Sequence, residues 1–160
     1  MKFILTIFLC VQAQIVNAET STIFKQPDAP LEITSYNNRY KASDRYGDGS
    51  IVHRVMVKNQ STQKIDAYGL GFYAFDSFKR DMGRPFVGYA MNELVIDASD
   101  NPSWEQKPSG AYLFKKHGQG LVYVAIVRFT DGTIWKADKN DISHQLQDFE
   151  LELDESSERD

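Results

Sequence analysis

The chain is poor in the residues that form covalent cross-links and metal sites. Its 160 residues contain one cysteine, Cys10, and three histidines, His53, His117 and His144. None of these histidines stands at a zinc-ligand spacing from another histidine or from the cysteine. We therefore predict no disulfide, no metal site and no cofactor, so the fold must be stabilised by the packing of apolar side chains.

The chain also lacks a basic stripe. It has 18 lysine and arginine residues against 22 aspartate and glutamate residues, a formal net charge of −4, and residues 148–160 carry seven acids and one arginine. A surface that binds nucleic acid or an anionic membrane needs clustered lysine and arginine. We therefore expect no nucleic-acid partner.

The N-terminal apolar segment, residues 3–11, falls well short of the roughly 20 residues of a membrane-spanning helix. Lys2 precedes it, and Ala18 ends the segment before Glu19. A short positive start, an apolar middle and a small final residue are typical of a cleavable secretory signal peptide. We predict a signal peptide at residues 1–18, no transmembrane span in the mature chain, and a periplasmic or secreted protein.

Residues 121–138 are typical of a β-hairpin. Two apolar runs flank Asp131 and Gly132, and an Asp-Gly pair here favours a two-residue type I′ turn, in which both central residues have positive φ. Counting outward from such a turn pairs Arg128 with Trp135 on one face, within reach of a cation–π contact. We predict these two residues as a candidate binding surface; the alternative is that Trp135 covers the sheet beneath a C-terminal helix.

Alternation of apolar and polar side chains predicts several more strands. The predicted strands are residues 31–36, 51–58 and 65–76, one or two within 85–96, and a short edge strand at 111–114. Gly69 and Gly71 in the third of these indicate a bulge or a close approach of the backbone. Residues 37–50 and 97–110, rich in Asn, Asp, Gly, Ser or Pro, are predicted to be loops.

The period changes towards the C-terminus. Four apolar residues recur with the spacing of an amphipathic helix: Ile142, Leu146, Phe149 and Leu153. Asn140 or Asp141 is its predicted cap. Strict alternation over residues 149–153 leaves a strand as the alternative.

These patterns predict a single domain at residues 31–153. A flexible lead-in at residues 19–30 precedes it, and an acidic, disordered tail at residues 154–160 follows. Short strands separated by turn residues favour an all-β fold, an antiparallel immunoglobulin-like β-sandwich with a short C-terminal helix.

Two segments carry a resemblance to a known family. Residues 57–65, Val-Lys-Asn-Gln-Ser-Thr-Gln-Lys-Ile, and residues 72–76, Phe-Tyr-Ala-Phe-Asp, resemble the opening of FxLYD-type domains, although Ala74 and Phe75 replace the leucine and tyrosine of that pattern. The closing residues 127–135, Val-Arg-Phe-Thr-Asp-Gly-Thr-Ile-Trp, resemble the end of related immunoglobulin-like exported bacterial domains of unknown function. The resemblance implies a sandwich fold and a bacterial envelope location, and it supplies no catalytic residues.

The histidines have simple structural interpretations. His53 shares a strand face with Val55 and Val57, so we expect a hydrogen-bonded, half-buried side chain. We expect His117 in a turn and His144 on the helix surface. No Gly-x-Ser-x-Gly nucleophile elbow is present.

A calcium-loop pattern at residues 44–50 is incomplete. Asp44 and Asp48 stand ahead of Gly49, but Val55 occupies the position where the loop needs a bidentate glutamate. Turn formation explains the segment without a metal, and a calcium-dependent, lectin-like domain is only a third possibility for function.

Aromatic residues make up 12% of the chain, and some of them could stack on a sugar. The candidates for a carbohydrate platform are Tyr36, Tyr40, Tyr46, Trp104 and Trp135. The simpler interpretation is that they pack in the core and across strands.

From these patterns we expect a non-catalytic binding or protein-interaction module of the cell envelope, whose partner is an envelope protein or a glycan. The alternative is a small hydrolase or carbohydrate-active enzyme whose carboxylates are gathered by the fold. A pocket with convergent acids or with His53 would indicate an enzyme, whereas an exposed aromatic patch or an open sheet edge would indicate a module.

Overall fold

The computed structural model of the protein describes residues 20–42, 49–78, 80–82, 85–107 and 117–157. Within these ranges the chain forms nine β-strands and one α-helix. The strands are β1 (Thr20–Ile23), β2 (Leu31–Lys41), β3 (Ser50–Asn59), β4 (Ile65–Asp76), β5 (Phe86–Ala90), β6 (Ser99–Asp100), β7 (Ser103–Gln106), β8 (His117–Phe129) and β9 (Ile134–Lys136), and the helix is α1 (Lys139–Ser157).

The strands form two sheets that pack face to face. Sheet A has the order β1-β8-β4-β5, with β9 also paired to β8; sheet B consists of β2, β3, β6 and β7, with β3 at its centre. Val55 and Val57 of sheet B share one buried core with Leu70 and Val122 of sheet A. The predicted all-β sandwich with a C-terminal helix is confirmed, and its immunoglobulin-like arrangement stays a prediction.

The predicted inward face of β3 is confirmed, and so is the predicted bulge or close approach at Gly69 and Gly71 of β4. In β3, Ile51, Val55 and Val57 are buried on the same face as His53. In β4, the pairing with β8 shifts between Gly69 and Leu70, as at a bulge. A Cβ atom on Gly71 would overlap the ring of Tyr123, so this glycine is required by close approach.

The predicted flexible lead-in contains a strand. Thr20–Ile23 pair in parallel with residues 119–122 of β8, and Phe24 is buried in a cluster that includes Phe75 and Ile142. The prediction of a flexible segment was wrong, because the edge of β8 supplies hydrogen-bond partners that outweigh the polar composition. β-Branched residues such as Ile23 also suit a strand.

Parts of both predicted loops are strands paired to β3. Residues 37–41 continue β2, with Asn38 opposite His53 and Tyr40 opposite Ile51. Strands β6 and β7 pair with the other edge of β3. The low strand propensity of these residues is outweighed, because β3 offers hydrogen-bond partners on both edges and a core against which the side chains pack.

The turn of the final hairpin differs from the predicted type I′ turn. Phe129 N–H donates to Thr133 O (2.9 Å) and Gly132 N–H donates to Phe129 O (3.0 Å). Gly132 has φ of +88°. Asp131 lacks a positive φ, and its Oδ1 accepts hydrogen bonds from the N–H (2.8 Å) and hydroxyl (2.7 Å) of Thr133. The loop therefore has three residues, with the glycine alone in the left-handed conformation.

The extra loop residue moves the hairpin register by one position. Arg128 lies opposite Ile134, and Trp135 lies opposite Val127. The predicted pairing of Arg128 with Trp135 is therefore wrong. A shift of one residue between strands places the two side chains on opposite faces.

The C-terminal segment is a helix, so the alternative of a strand is wrong. Asp138 Oδ1 accepts the N–H of Asn140 (2.8 Å), which makes Asp138 the cap instead of Asn140 or Asp141, because it is the last residue before the helix. Ile142 and Phe149 are buried against the outer face of sheet A. The helix continues through Ser157, so residues 154–157 of the predicted disordered tail are helical.

Several predicted features lie outside the described residues. They are the signal peptide at 1–18, the loop carrying Asp44, Tyr46 and Asp48, the edge strand at 111–114 and the tail from 158 to 160. In the part of the chain that the structure describes, no helix has the length and apolar composition needed to cross a membrane.

Candidate functional site

The structure separates the two residues of the predicted binding surface. Arg128 is exposed on the outer side of sheet A, with its Nε 3.4 Å from Asp66 Oδ2. Trp135 is partly buried and packs against the core shared by the two sheets. Trp135 is thus a packing residue, but it packs against the core between the sheets, whereas the apolar side chains of α1 belong to a separate cluster. The binding role of Arg128 stays a prediction without its aromatic partner.

The predicted carbohydrate platform is also taken up by packing. Tyr36 is buried, Tyr40 packs against a small cluster around Ile51, and Tyr46 lies outside the described residues. Trp104 covers Gly88, where a Cβ atom would lie 2.6 Å from its ring, and its Nε1 donates to Tyr89 O (3.2 Å).

A polar cluster around His53 lies inside the sandwich. His53 is fully buried; its Nδ1 shares a hydrogen bond with the Tyr36 hydroxyl (2.9 Å) and its Nε2 donates to Gln106 Oε1 (3.0 Å). The ring stacks on Phe72 at 4.3 Å between centroids. His53 is thus hydrogen-bonded as predicted, but it is buried more deeply.

His117 belongs to the same interior region. It begins β8 and does not lie in a turn as predicted, because β8 extends further toward the N-terminus to pair with Asp76 of β4. His117 Nε2 hydrogen-bonds Asn38 Oδ1, and Asn38 Nδ2 donates to Ser21 Oγ (2.7 Å). His144 is exposed on α1, as predicted.

Burial keeps both interior histidines neutral. It lowers the pKa of His53 and that of His117 to about 4, because the charged form would lose its hydration. A buried side chain that already bonds its neighbours cannot reach a substrate. We therefore assign this cluster, defined by Tyr36, Asn38, His53, Gln106 and His117, to the structure of the sandwich and call it the histidine cluster.

A groove between α1 and the outer face of sheet A has a different character. Its volume is about 380 Å³. It is lined from β4 and β8 by Tyr73, Tyr123 and Ala125, from β9 and the residue after it by Lys136 and Ala137, and from α1 by Lys139, Ile142 and Ser143. We call it the tyrosine groove.

The two tyrosines are held in place by the sheet. Tyr123 lies opposite Gly71, whose missing side chain leaves room for the phenol ring. The rings of Tyr73 and Tyr123 are 6.0 Å apart and inclined by 28°. Their hydroxyls share a hydrogen bond, and burial raises the pKa of both phenols, so both keep their protons at neutral pH.

The charged residues of the tyrosine-groove lining are both lysines, in contrast to the net charge of the chain, and the carboxylates of Asp81 and Glu150 act on Tyr73 from outside the lining. Lys136 and Lys139 are exposed, and the lining contains no carboxylate among the described residues. The Ser143 hydroxyl donates to Lys139 O (2.8 Å), which leaves its oxygen free to accept another hydrogen bond. The lining of the groove therefore combines two aromatic residues with several polar ones.

A second groove, of about 460 Å³, lies between the end of β1 and the start of β2. Its apolar lining includes Ile23, Leu31 and Val124. Its two amide side chains already bond the backbone: Gln26 to both polar groups of Val124, and Gln60 to Ala29 O (2.6 Å). Its charged residues, Lys25 and Glu32, have opposite signs, whereas those of the tyrosine groove are both lysines.

Sequence analysis missed Tyr73 and Tyr123 because β4 is buried along both faces. A strand covered on both faces loses the alternation that distinguishes its inner from its outer residues. The available signal was Gly71, which lies opposite Tyr123 in the pairing of β4 with β8.

No known protein-family profile matches the chain, and no curated protein matches it. Its fold is similar to that of a hypothetical protein from Peptoclostridium difficile 630, with a TM-score of 0.51 and 11% identity over 78% of this chain and 93% of that chain. An X-ray structure of a Northeast Structural Genomics Consortium target aligns with a TM-score of 0.41 and 8% identity over 68% of this chain and 80% of that chain. The first likeness is one of fold alone.

Proposed function

We propose that the protein is a non-catalytic binding module of the cell envelope, exported to the periplasm or beyond, and that it binds its ligand in the tyrosine groove. The signal-peptide pattern of residues 1–18 supports export. The immunoglobulin-like, FxLYD-type resemblance fits the same location. N-terminal sequencing of the protein from host cells tests export, and the expected first residue is Glu19.

The observation that carries the proposal is the convergence of aromatic and polar groups in one concavity. Ligand sites are mostly apolar or aromatic clefts with a few well-placed polar groups. The lining of the tyrosine groove has this composition: the aromatic residues Tyr73 and Tyr123, the apolar Ile142, and the basic Lys136 and Lys139.

The described residues favour binding over catalysis. His53 and His117, the histidines with strongly lowered pKa, are buried away from the tyrosine groove and already hydrogen-bonded. The hydrolase alternative requires carboxylates gathered at a cleft, and the lining of the tyrosine groove contains none.

Blocking the groove tests the proposal. Ser143 is exposed on α1 at the groove, so Ser143→Trp fills the cavity without disturbing the core. Gln147→Trp places the same ring one turn further along α1, outside the groove lining, and is the matched control. The measurement is co-sedimentation of the full chain, as the host processes it, with isolated host cell envelopes.

We expect the unmodified protein and Gln147→Trp to be retained on the envelopes, and Ser143→Trp to be retained at least about fivefold less, which corresponds to roughly 1 kcal/mol of binding free energy. Equal retention of the two tryptophan variants, or no retention of the unmodified protein, would overturn the proposal. Circular dichroism of each variant verifies that it is folded.

A further inference from the structure

We propose that the ligand of the tyrosine groove is a saccharide that carries a carboxylate, an inference that rests on the proposed function of this groove. Three properties of the groove support it: the arrangement of its rings, the sign of its charge and its size.

The rings provide a surface for a sugar. A pyranose presents one face of C–H groups, which packs on an aromatic face, and a rim of hydroxyls that need hydrogen-bond partners. Tyr73 and Tyr123 provide two rings inclined by only 28°, and the second is fixed over Gly71. Their protonated hydroxyls and the Ser143 oxygen lie in the same lining and provide both donors and acceptors.

The two lysines of the groove lining favour an anionic ligand. Lys136 and Lys139 both line the groove, in a chain whose formal net charge is −4, and no carboxylate of the lining neutralises them. A ligand carboxylate would accept charge-assisted hydrogen bonds from these amines. A neutral sugar would use the rings and leave both exposed amines bonded only to water.

The size favours a short saccharide over a protein surface. A volume of about 380 Å³ lies near the lower end of the range of small-ligand sites. It accommodates one or two sugar units, whereas a protein partner would require a much larger contact area.

The test compares two forms of one sugar by isothermal titration calorimetry. The probes are α-1,4-linked digalacturonate and its fully methyl-esterified form, which has the same rings without the charge; hexaglutamate serves as an acidic peptide. The variant Lys136→Gln/Lys139→Gln removes the positive charge of the groove. Its matched control, Lys41→Gln/Lys58→Gln, removes the same charge from sheet B, where these lysines pair with Glu105 and Asp97.

We expect digalacturonate to bind at least about tenfold more tightly than its ester, because only the acid form accepts charge-assisted hydrogen bonds from the lysine amines. Lys136→Gln/Lys139→Gln should abolish this difference, and Lys41→Gln/Lys58→Gln should preserve it. NMR shifts of the Tyr123 and Ala137 amides should locate the bound sugar in the groove.

Other outcomes separate the ligand class from the proposed function. Equal affinity for acid and ester, or tighter binding of hexaglutamate with the same NMR shifts, overturns the carboxylate sugar and retains the binding groove. If none of the probes binds, the carboxylate sugar is overturned, and envelope retention of Ser143→Trp decides separately whether the groove binds at all.

Discussion

The histidine cluster and the tyrosine groove lie on opposite faces of sheet A, and neighbouring residues of β4 contact them. Phe72 stacks on His53 inside the sandwich, whereas Tyr73 lines the groove on the outside. Both sites contain hydrogen-bonded tyrosine hydroxyls. The difference is that sheet B closes over the inner face, while α1 leaves part of the outer face open. The same kinds of side chain therefore stabilise the fold on one face and are available to a ligand on the other.

Acid should affect the inner site most strongly. The pKa of His53 and of His117 is about 4 in the folded chain against an ordinary 6.5, so between these values the unfolded chain binds more protons. Stability is complete above pH 6.5 and falls as the pH drops towards 4, by about 3 kcal/mol for each histidine. Urea unfolding across this range measures the loss.

The acid effect has an internal control. His53→Gln should remove about half of this pH dependence, because one of the two neutral histidines is absent. His144→Gln, on the exposed side of α1, should leave it intact. A free energy of unfolding that stays constant between pH 6.5 and 4 would contradict the burial of these rings as neutral groups.

Removal of the inner ring at neutral pH should have the next largest effect. His53→Ala leaves a cavity beside Phe72 and removes the partner of Tyr36 and Gln106, so the free energy of unfolding should fall by about 3 kcal/mol. His144→Ala should change it by less than about 0.5 kcal/mol. Chemical denaturation of both variants measures the two losses of stability. Similar losses in His53→Ala and His144→Ala would contradict this prediction.

Substitution of Gly71 should lower stability and disrupt the tyrosine groove on the outer face of sheet A. In Gly71→Ala the added methyl group meets the ring of Tyr123, so stability should fall by about 1–3 kcal/mol and retention on cell envelopes should be lost. Gly132→Ala is the control: it strains a turn at φ of +88° with open space around it, costs about 1 kcal/mol and should leave retention unchanged. Loss of retention in both variants would show that general destabilisation is the cause.

The smallest effect is expected at Arg128, which sequence analysis predicted as part of a binding surface. Arg128→Ala removes an exposed ion pair with Asp66, so stability should stay within about 0.5 kcal/mol and envelope retention should not change. Thermal unfolding and co-sedimentation measure the two quantities. Loss of retention with normal stability would restore Arg128 as part of a binding surface and weaken the assignment to the groove.

Sequence patterns predicted the features that depend on local alternation. The inward face of β3, with Val55 beside His53, and the apolar stripe of α1 that includes Ile142 follow from periodicity alone. The register of the last hairpin did not follow, because an Asp-Gly pair fits both a two-residue and a three-residue loop. In this chain the hydrogen bonds of Asp131 to Thr133 accompany the longer loop.

The tyrosine groove was beyond sequence reasoning for a different reason. It exists because α1 crosses the outer face of β4 and β8, which brings Ser143 and Lys139 to Tyr73 and Tyr123. Such contacts between distant parts of the chain depend on how whole elements pack, and no local spacing encodes them. The inner histidine cluster has the same origin, since it joins β2, β3, β7 and β8.

The side chain of Gln26 bears on the tendency of this protein to aggregate. Gln26 bonds both backbone groups of Val124, at the point along β8 where β1 has ended and β9 has not yet begun. A side-chain amide thus replaces a missing strand residue, so β8 presents no unpaired peptide group there to a neighbouring copy. Unpaired strand edges are templates for aggregation, and the hydrogen bonds of Gln26 remove such a template at this point of β8.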